Sequence, residues 1–218
     1  MRSQPCDELT SPMSPASVPE VPVPNIDPLP PEELAEHAER FAFVEEVMGF
    51  VPNSMKTMAR VPGLVEAFGG LGGAVFMNGL IPPALVQMVA MVVSTGAGCR
   101  YCQAHTSHSA HRLGVSEEKI AALWEFETSE HFDGAERAAL RLAFHAGQAP
   151  NTTTSEHFDE LRKYYTDDQI AAIVSVCSLF GYLNRWNDTM ATALEESPAA
   201  FGERVLADGG WEPSKHAE

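Results

Sequence analysis

Between Glu66 and Glu117 the chain has no aspartate or glutamate, although its 218 residues include 30 of them. Any carboxylate that acts within this segment must therefore come from elsewhere in the fold or from another subunit. Basic residues are also scarce. Fourteen Lys and Arg leave a formal net charge of -16, and such a surface repels phosphate backbones, so nucleic acid and anionic membranes are not expected partners. No apolar run is long enough for a bilayer, the longest being "IPPALVQMVAMVVSTGAG", which ends in small residues and reads as a buried helix. No secretory signal opens the chain. Four cysteines make no disulfide framework, and only Cys99 and Cys102 form a local pair, so a reducing cytoplasm is the expected location. No Gly-rich dinucleotide fingerprint follows a strand, so no nucleotide or flavin cofactor is expected.

Strand patterns are missing as well. No Val/Ile/Thr run alternates with polar residues for long enough, whereas helix punctuation recurs along the chain. "PPEELAEHAERFAFVEEVMG" opens on prolines and acids and closes on glycine. Pro62 separates a short helix from a Gly-laced one, "SEEKIAALWEFE" starts on a serine cap, and "GAERAALRLAFHAGQAP" carries an Ala/Leu stripe. In "TDDQIAAIVSVCSLFGYLNRWNDTMATALEE", Ile170, Ile173, Val174, Cys177 and Leu183 fit one helical face. The expected fold class is all-α. Its boundaries are a Pro- and Ser-rich extended arm over 1–30, one domain over 31–210, and a tail over 211–218.

The chemistry concentrates in "GAGCRYCQAHTSHSAHRLG", residues 96 to 114. Gly98 can end one helix and let the next begin, which puts Cys99 and Cys102 in a first turn where the helix dipole favours thiolate. Residues three apart lie about 60° apart around a helix, so Cys99, Cys102 and His105 share a face while His108 and His111 wind off it. Three readings are open. A dithiol with His105 as base can perform thiol redox chemistry. A Cys2His2 metal site would add His108, but four ligands on one short helix cannot converge tetrahedrally without distorting it. Alternatively, Cys and His simply fill core positions.

The ordered set "FVEEVMGFVPNSMKTMARVPGLVEAF", the apolar helix, "GCRYCQAHT" and "FGYLNRWNDTMATALE" resembles the carboxymuconolactone decarboxylase superfamily, in its AhpD-like (alkylhydroperoxidase D) branch, over roughly residues 40 to 195. The resemblance implies a helical bundle with the CxxC at the start of a core helix, assembled as a homo-oligomer, usually a trimer or hexamer. It implies a peroxidase-like oxidoreductase in which Cys102 attacks a hydroperoxide, Cys99 resolves the sulfenic acid, and an external dithiol reductant restores the pair. No metal or other cofactor is implied. This chain departs from the pattern twice. The histidine usually found four residues after the second Cys is replaced by Thr106, with His105 one position early. The relay glutamate usually found twelve residues before the first Cys is Gln87, an amide that cannot shuttle a proton by changing charge. Gln87 and Asp188 are the candidate substrate-binding residues, and Asp188 of "NRWND" is the candidate for the missing carboxylate. Two other functions stay open: non-redox lyase or isomerase chemistry on a small carbonyl or lactone, and a non-catalytic, redox-responsive oligomer.

Overall fold

The computed structural model describes residues 24–217, so the part of the expected arm that covers 1–23 lies outside the described residues. Residues 24–30 run extended along the body. Asn25 donates from its backbone N–H to the carbonyl of Met190 at 2.9 Å and from Nδ2 to the carbonyl of Thr189 at 2.8 Å. The rest is helical, and no strand occurs among the described residues.

The centre is α4, Pro83–Ala97. Proline opens it where its missing N–H is no loss, and Gly98, at φ 77°, closes it in a left-handed conformation. Nine of its residues are buried, including an unbroken run from Met88 to Ser94, so it is enclosed all round rather than amphipathic. Around it pack α5, Arg100–Arg112; α7, Gly134–Gly147; and α9, Asp167–Met190. Each well-buried aliphatic side chain in this core, such as Val89, Leu140 or Ile173, contributes roughly 1.5–3 kcal/mol. The α4–α7 crossing is close because it is lined by glycine. A Cβ on Gly96 would meet the carbonyl oxygen of Phe144 at 2.5 Å, and one on Gly147 would meet that of Val93 at 2.2 Å.

Smaller elements complete the bundle. α1 (Ala38–Met48), α2 (Asn53–Met58) and α3 (Leu64–Phe76) build a second core from Phe41, Met55, Met58 and Val65, joined to the main body by Leu183 and Trp186 of α9. α6 (Glu117–Ala121), α8 (Ser155–Leu161) and α10 (Glu196–Val205) flank the long helices. Ser116 caps α6 as expected, accepting from the N–H of Lys119. The helix expected from Pro31 begins seven residues later. Two 3-10 turns come first, because His37 turns inward to bond Glu66 at 2.8 Å instead of continuing an α-helix. The stretch expected as a tail is packed in as far as it is described. Trp211 and His216 are buried, the Trp211 indole donates to the carbonyl of Arg100, and its ring sits against Gly202 of α10.

Candidate functional site

The junction between α4 and α5 sets the geometry. Once Gly98 reverses the chain, Cys99 takes an extended conformation as the N-cap of α5, and its N–H bonds back to the carbonyl of Ser94 at 3.0 Å. Cys102 follows within the first turn. Both thiols are buried and unbridged.

Their environments differ. Cys99 is lowered from an ordinary thiol value to about 6: the hydrogen bond from Cys102 is the largest cause, burial opposes it, and His216 pulls further downward. Cys102 moves well upward. Burial is the main cause, its neighbour Cys99 adds to it, and Asn187 pulls the other way through a bond from Nδ2 to Sγ at 3.4 Å. Both directions favour the thiolate at Cys99 over Cys102.

Two elements far away in sequence surround the pair. From α9, Asn187 and Asp188 face the start of α5. From the 3-10 turn Ser214–His216 comes a buried imidazole. The Cys99 Sγ, an Asp188 carboxylate oxygen and a His216 ring nitrogen all lie within 4.8 Å of one another. His216 Nδ1 is 2.8 Å from the carbonyl of Thr192. A carbonyl can only accept, so Nδ1 carries the proton and, in the neutral ring, Nε2 is a bare acceptor. Nε2 has no hydrogen-bond partner and stands 3.5 Å from Asp188 Oδ1, whose other oxygen pairs with Lys215 Nζ at 2.8 Å. The Leu194 N–H to His216 carbonyl bond, at 2.9 Å, fastens this turn to the loop after α9. A thiol, an imidazole and a carboxylate in this arrangement can move a proton away from sulfur.

Of the residues expected from sequence, Cys99, Cys102 and Asp188 come together. His105 turns elsewhere: its Nε2 meets Glu195 Oε2 at 2.5 Å and its ring stacks on Tyr101 with centroids 4.2 Å apart. Glu195 also accepts from the Tyr101 hydroxyl at 2.9 Å and from the Asn53 N–H at 2.5 Å. Gln87 sits half-buried on α4 and makes no side-chain hydrogen bond among the described residues. His108 is half-buried and His111 exposed. Sequence reasoning missed His216, Asn187's contact with Cys102, and Glu195. Only His216 carried a local signal, the tryptophan five residues before it, since a tail holding a large aromatic has a reason to pack. Two surface cavities, of about 230 and 440 Å³, are lined by Leu142, Phe158 and Cys177 in one case and by Tyr182, Arg185 and Trp186 in the other; neither is lined by Cys99 or Cys102.

Paired thiols at the mouth of a core helix in an all-α bundle define a class of helical CxxC proteins, and comparison with known proteins narrows it. Residues 62–144 match the carboxymuconolactone decarboxylase family. The chain is 38% identical to the debrominase Bmp8 in its ligand-free form and 37% identical to a cysteine-to-alanine variant in complex with 2,3,4-tribromopyrrole. Both matches cover 82% of this chain and 96% of that one, with TM-scores of 0.77 and 0.78. An alkylhydroperoxidase AhpD core, a peroxidase-related protein from Ralstonia eutropha JMP134, shares the fold at 22% identity and a TM-score of 0.70, over 79% of this chain and 94% of that one. The Bacillus subtilis (strain 168) protein YdfG is 27% identical over 103 residues, 46% of this chain and 67% of its own length. The chain belongs to the carboxymuconolactone decarboxylase family, and its fold is AhpD-like. No helix among the described residues is long and apolar enough to cross a membrane.

Proposed function

We propose that the protein is a dithiol oxidoreductase that reduces hydroperoxides. The carrying observation is the pair itself: Cys99 at the N-cap of α5 and Cys102 in its first turn, both buried and unbridged, with Asn187 on Cys102 and Asp188 and His216 beside Cys99. The Cys99 thiolate attacks the terminal peroxide oxygen, the O–O bond breaks, and the departing alkoxide takes a proton to leave as alcohol. Cys99 is then a sulfenic acid. Cys102 attacks its sulfur, water leaves, and a disulfide forms; an external dithiol returns the two electrons. Cys99 takes the attacking role here and Cys102 the resolving role, the reverse of the order implied by family resemblance, because the thiolate is the nucleophile. Homo-oligomeric assembly as a trimer or hexamer belongs to the same proposal. Leu71, exposed on α3, and Met77, exposed just past its end, give it an apolar face.

The similarity to Bmp8 favours a second substrate class for the same dithiol, a brominated heteroaromatic. Cys99 would attack bromine, the C–Br pair would pass to carbon and pick up a proton, and Cys102 would displace bromide to close the same disulfide.

The test is intact mass after one equivalent of cumene hydroperoxide, run beside 2,3,4-tribromopyrrole with bromide release as readout. Loss of two hydrogens localised to Cys99–Cys102, with alcohol formed, supports the hydroperoxide reading. Bromide release with an inert peroxide moves the assignment to the second substrate. An unchanged mass with both reagents overturns dithiol chemistry. In Cys102→Ser, dimedone should trap the sulfenic acid on Cys99; the complementary trap on Cys102 in Cys99→Ser would restore the order implied by resemblance.

A further inference from the structure

No Asp or Glu occurs between Glu66 and Glu117, and the nearby His105 is engaged with Glu195. The proton chemistry of the thiols has to come from another source. We propose that His216, with Nδ1 held by the carbonyl of Thr192 and Nε2 facing Asp188, is the base that takes the proton of Cys99 and hands it to the departing oxygen. This assignment rests on the dithiol reading of the site.

Four observations carry it. The ring is buried, so its pose is set by packing rather than by solvent. The Thr192 bond fixes the tautomer, leaving the reactive nitrogen bare on the side of Asp188 and Cys99. That nitrogen has no hydrogen-bond partner, an arrangement that costs roughly 1–3 kcal/mol unless the atom has a proton to receive. Finally, Asp188 at 3.5 Å offers a negative charge to stabilise the imidazolium once it forms. The charged and titratable groups facing the ring are Asp188 from α9, Cys99 and Tyr101 at the start of α5, the latter with ring centroids 5.8 Å apart, and Lys215 beside it, which is tied to Asp188.

The step balances. The Cys99 S–H proton passes to Nε2, giving thiolate and imidazolium. The thiolate attacks, the O–O bond breaks, and the imidazolium gives that proton to the alkoxide, which returns His216 to its neutral form. Asp188 and the Thr192 carbonyl are positioning groups that steer the ring and are not themselves protonated.

The experiment is the rate of Cys99 alkylation by iodoacetamide, site-resolved by mass spectrometry, across pH in the reduced full chain. The wild type should show a midpoint near 6. His216→Gln should move it up by more than one unit and slow alkylation at pH 7 by about twofold or more. Added imidazole should restore part of the lost rate in His216→Ala. An unchanged midpoint in a folded His216→Gln, or in His216→Asn if the glutamine variant does not fold, overturns the assignment. Alkylation needs no peroxide, so the two readings can fail separately. A His216-dependent profile in a protein that consumes no hydroperoxide leaves the base in place and removes the substrate. Hydroperoxide turnover with a wild-type pH profile in His216→Gln removes the base and leaves the dithiol.

Discussion

The side-chain amide of Asn187 donates to the sulfur of Cys102 across 3.4 Å, in surroundings where both residues are almost fully shielded from solvent. A donor at that place favours the thiolate of a sulfur that burial otherwise keeps protonated. In the proposed cycle Cys102 must become a nucleophile for one step, the closing of the disulfide. Asn187→Leu should therefore leave the first attack on peroxide nearly unchanged and slow disulfide closure about tenfold or more, the scale of a hydrogen bond to a charged group. Rapid-mixing mass spectrometry should show a longer-lived sulfenic acid on Cys99, and equal closure rates in variant and wild type would contradict the role.

Glu195 ties α2, through Asn53, to α5, through Tyr101 and His105. Burial alone would raise its pKa, but His105 and the backbone N–H of Asn53 outweigh that and hold it below the ordinary 4.5. A carboxyl depressed in the folded state stabilises the protein above its unfolded value, and that contribution fades as pH falls through the lower folded value. Glu195→Gln should cost about 3 kcal/mol at pH 7, as breaking a buried pair does. It should also flatten the loss of stability below pH 4.5. Urea unfolding at pH 7, 5 and 4 checks both effects, and parallel pH profiles for the two proteins would count against the assignment.

The α4–α7 crossing predicts a contrast among glycines. Gly147→Ala drives a methyl group into the carbonyl of Val93 and should destabilise the fold by about 1–3 kcal/mol. Gly70→Ala, in the exposed interior of α3 with nothing within 4 Å, should instead stabilise by about 0.5–1 kcal/mol. Thermal melts of the two variants should move in opposite directions.

Cys177 is the control for thiol chemistry. Burial in α9 pushes it up to about 12, so at pH 8 it is a thiol without thiolate character. Peptide mapping after iodoacetamide should find it unmodified in the native protein and modified once denaturant is added. Native-state labelling at Cys177 would show that the centre of α9 opens.

Local rules in the sequence located much of this structure. The unbroken apolar run of 88–93 marked the enclosed helix, Gly98 marked its end, and the serine before "EEKIAALWEFE" marked a cap that the structure contains. The carboxylate gap from Glu66 to Glu117 required an acid from outside, and Asp188 stands beside Cys99. What escaped was long-range. His105 lies three residues from Cys102 but four from Tyr101. The imidazole lies over the tyrosine ring and toward Glu195, a residue ninety positions away that no local pattern could have placed. His216 escaped because Gly, Pro and Lys around it have the composition of a loose end, while the burial of Trp211 that holds the segment down is a tertiary event.

The site is divided between segments. The stretch that matches the family, 62–144, contains both thiols, but Asn187, Asp188 and His216 all fall outside it. The thiols and the side chains packed around them thus lie in separate parts of the chain, so substitutions after residue 144 reach the surroundings of both sulfurs while leaving the helix pair that holds them untouched.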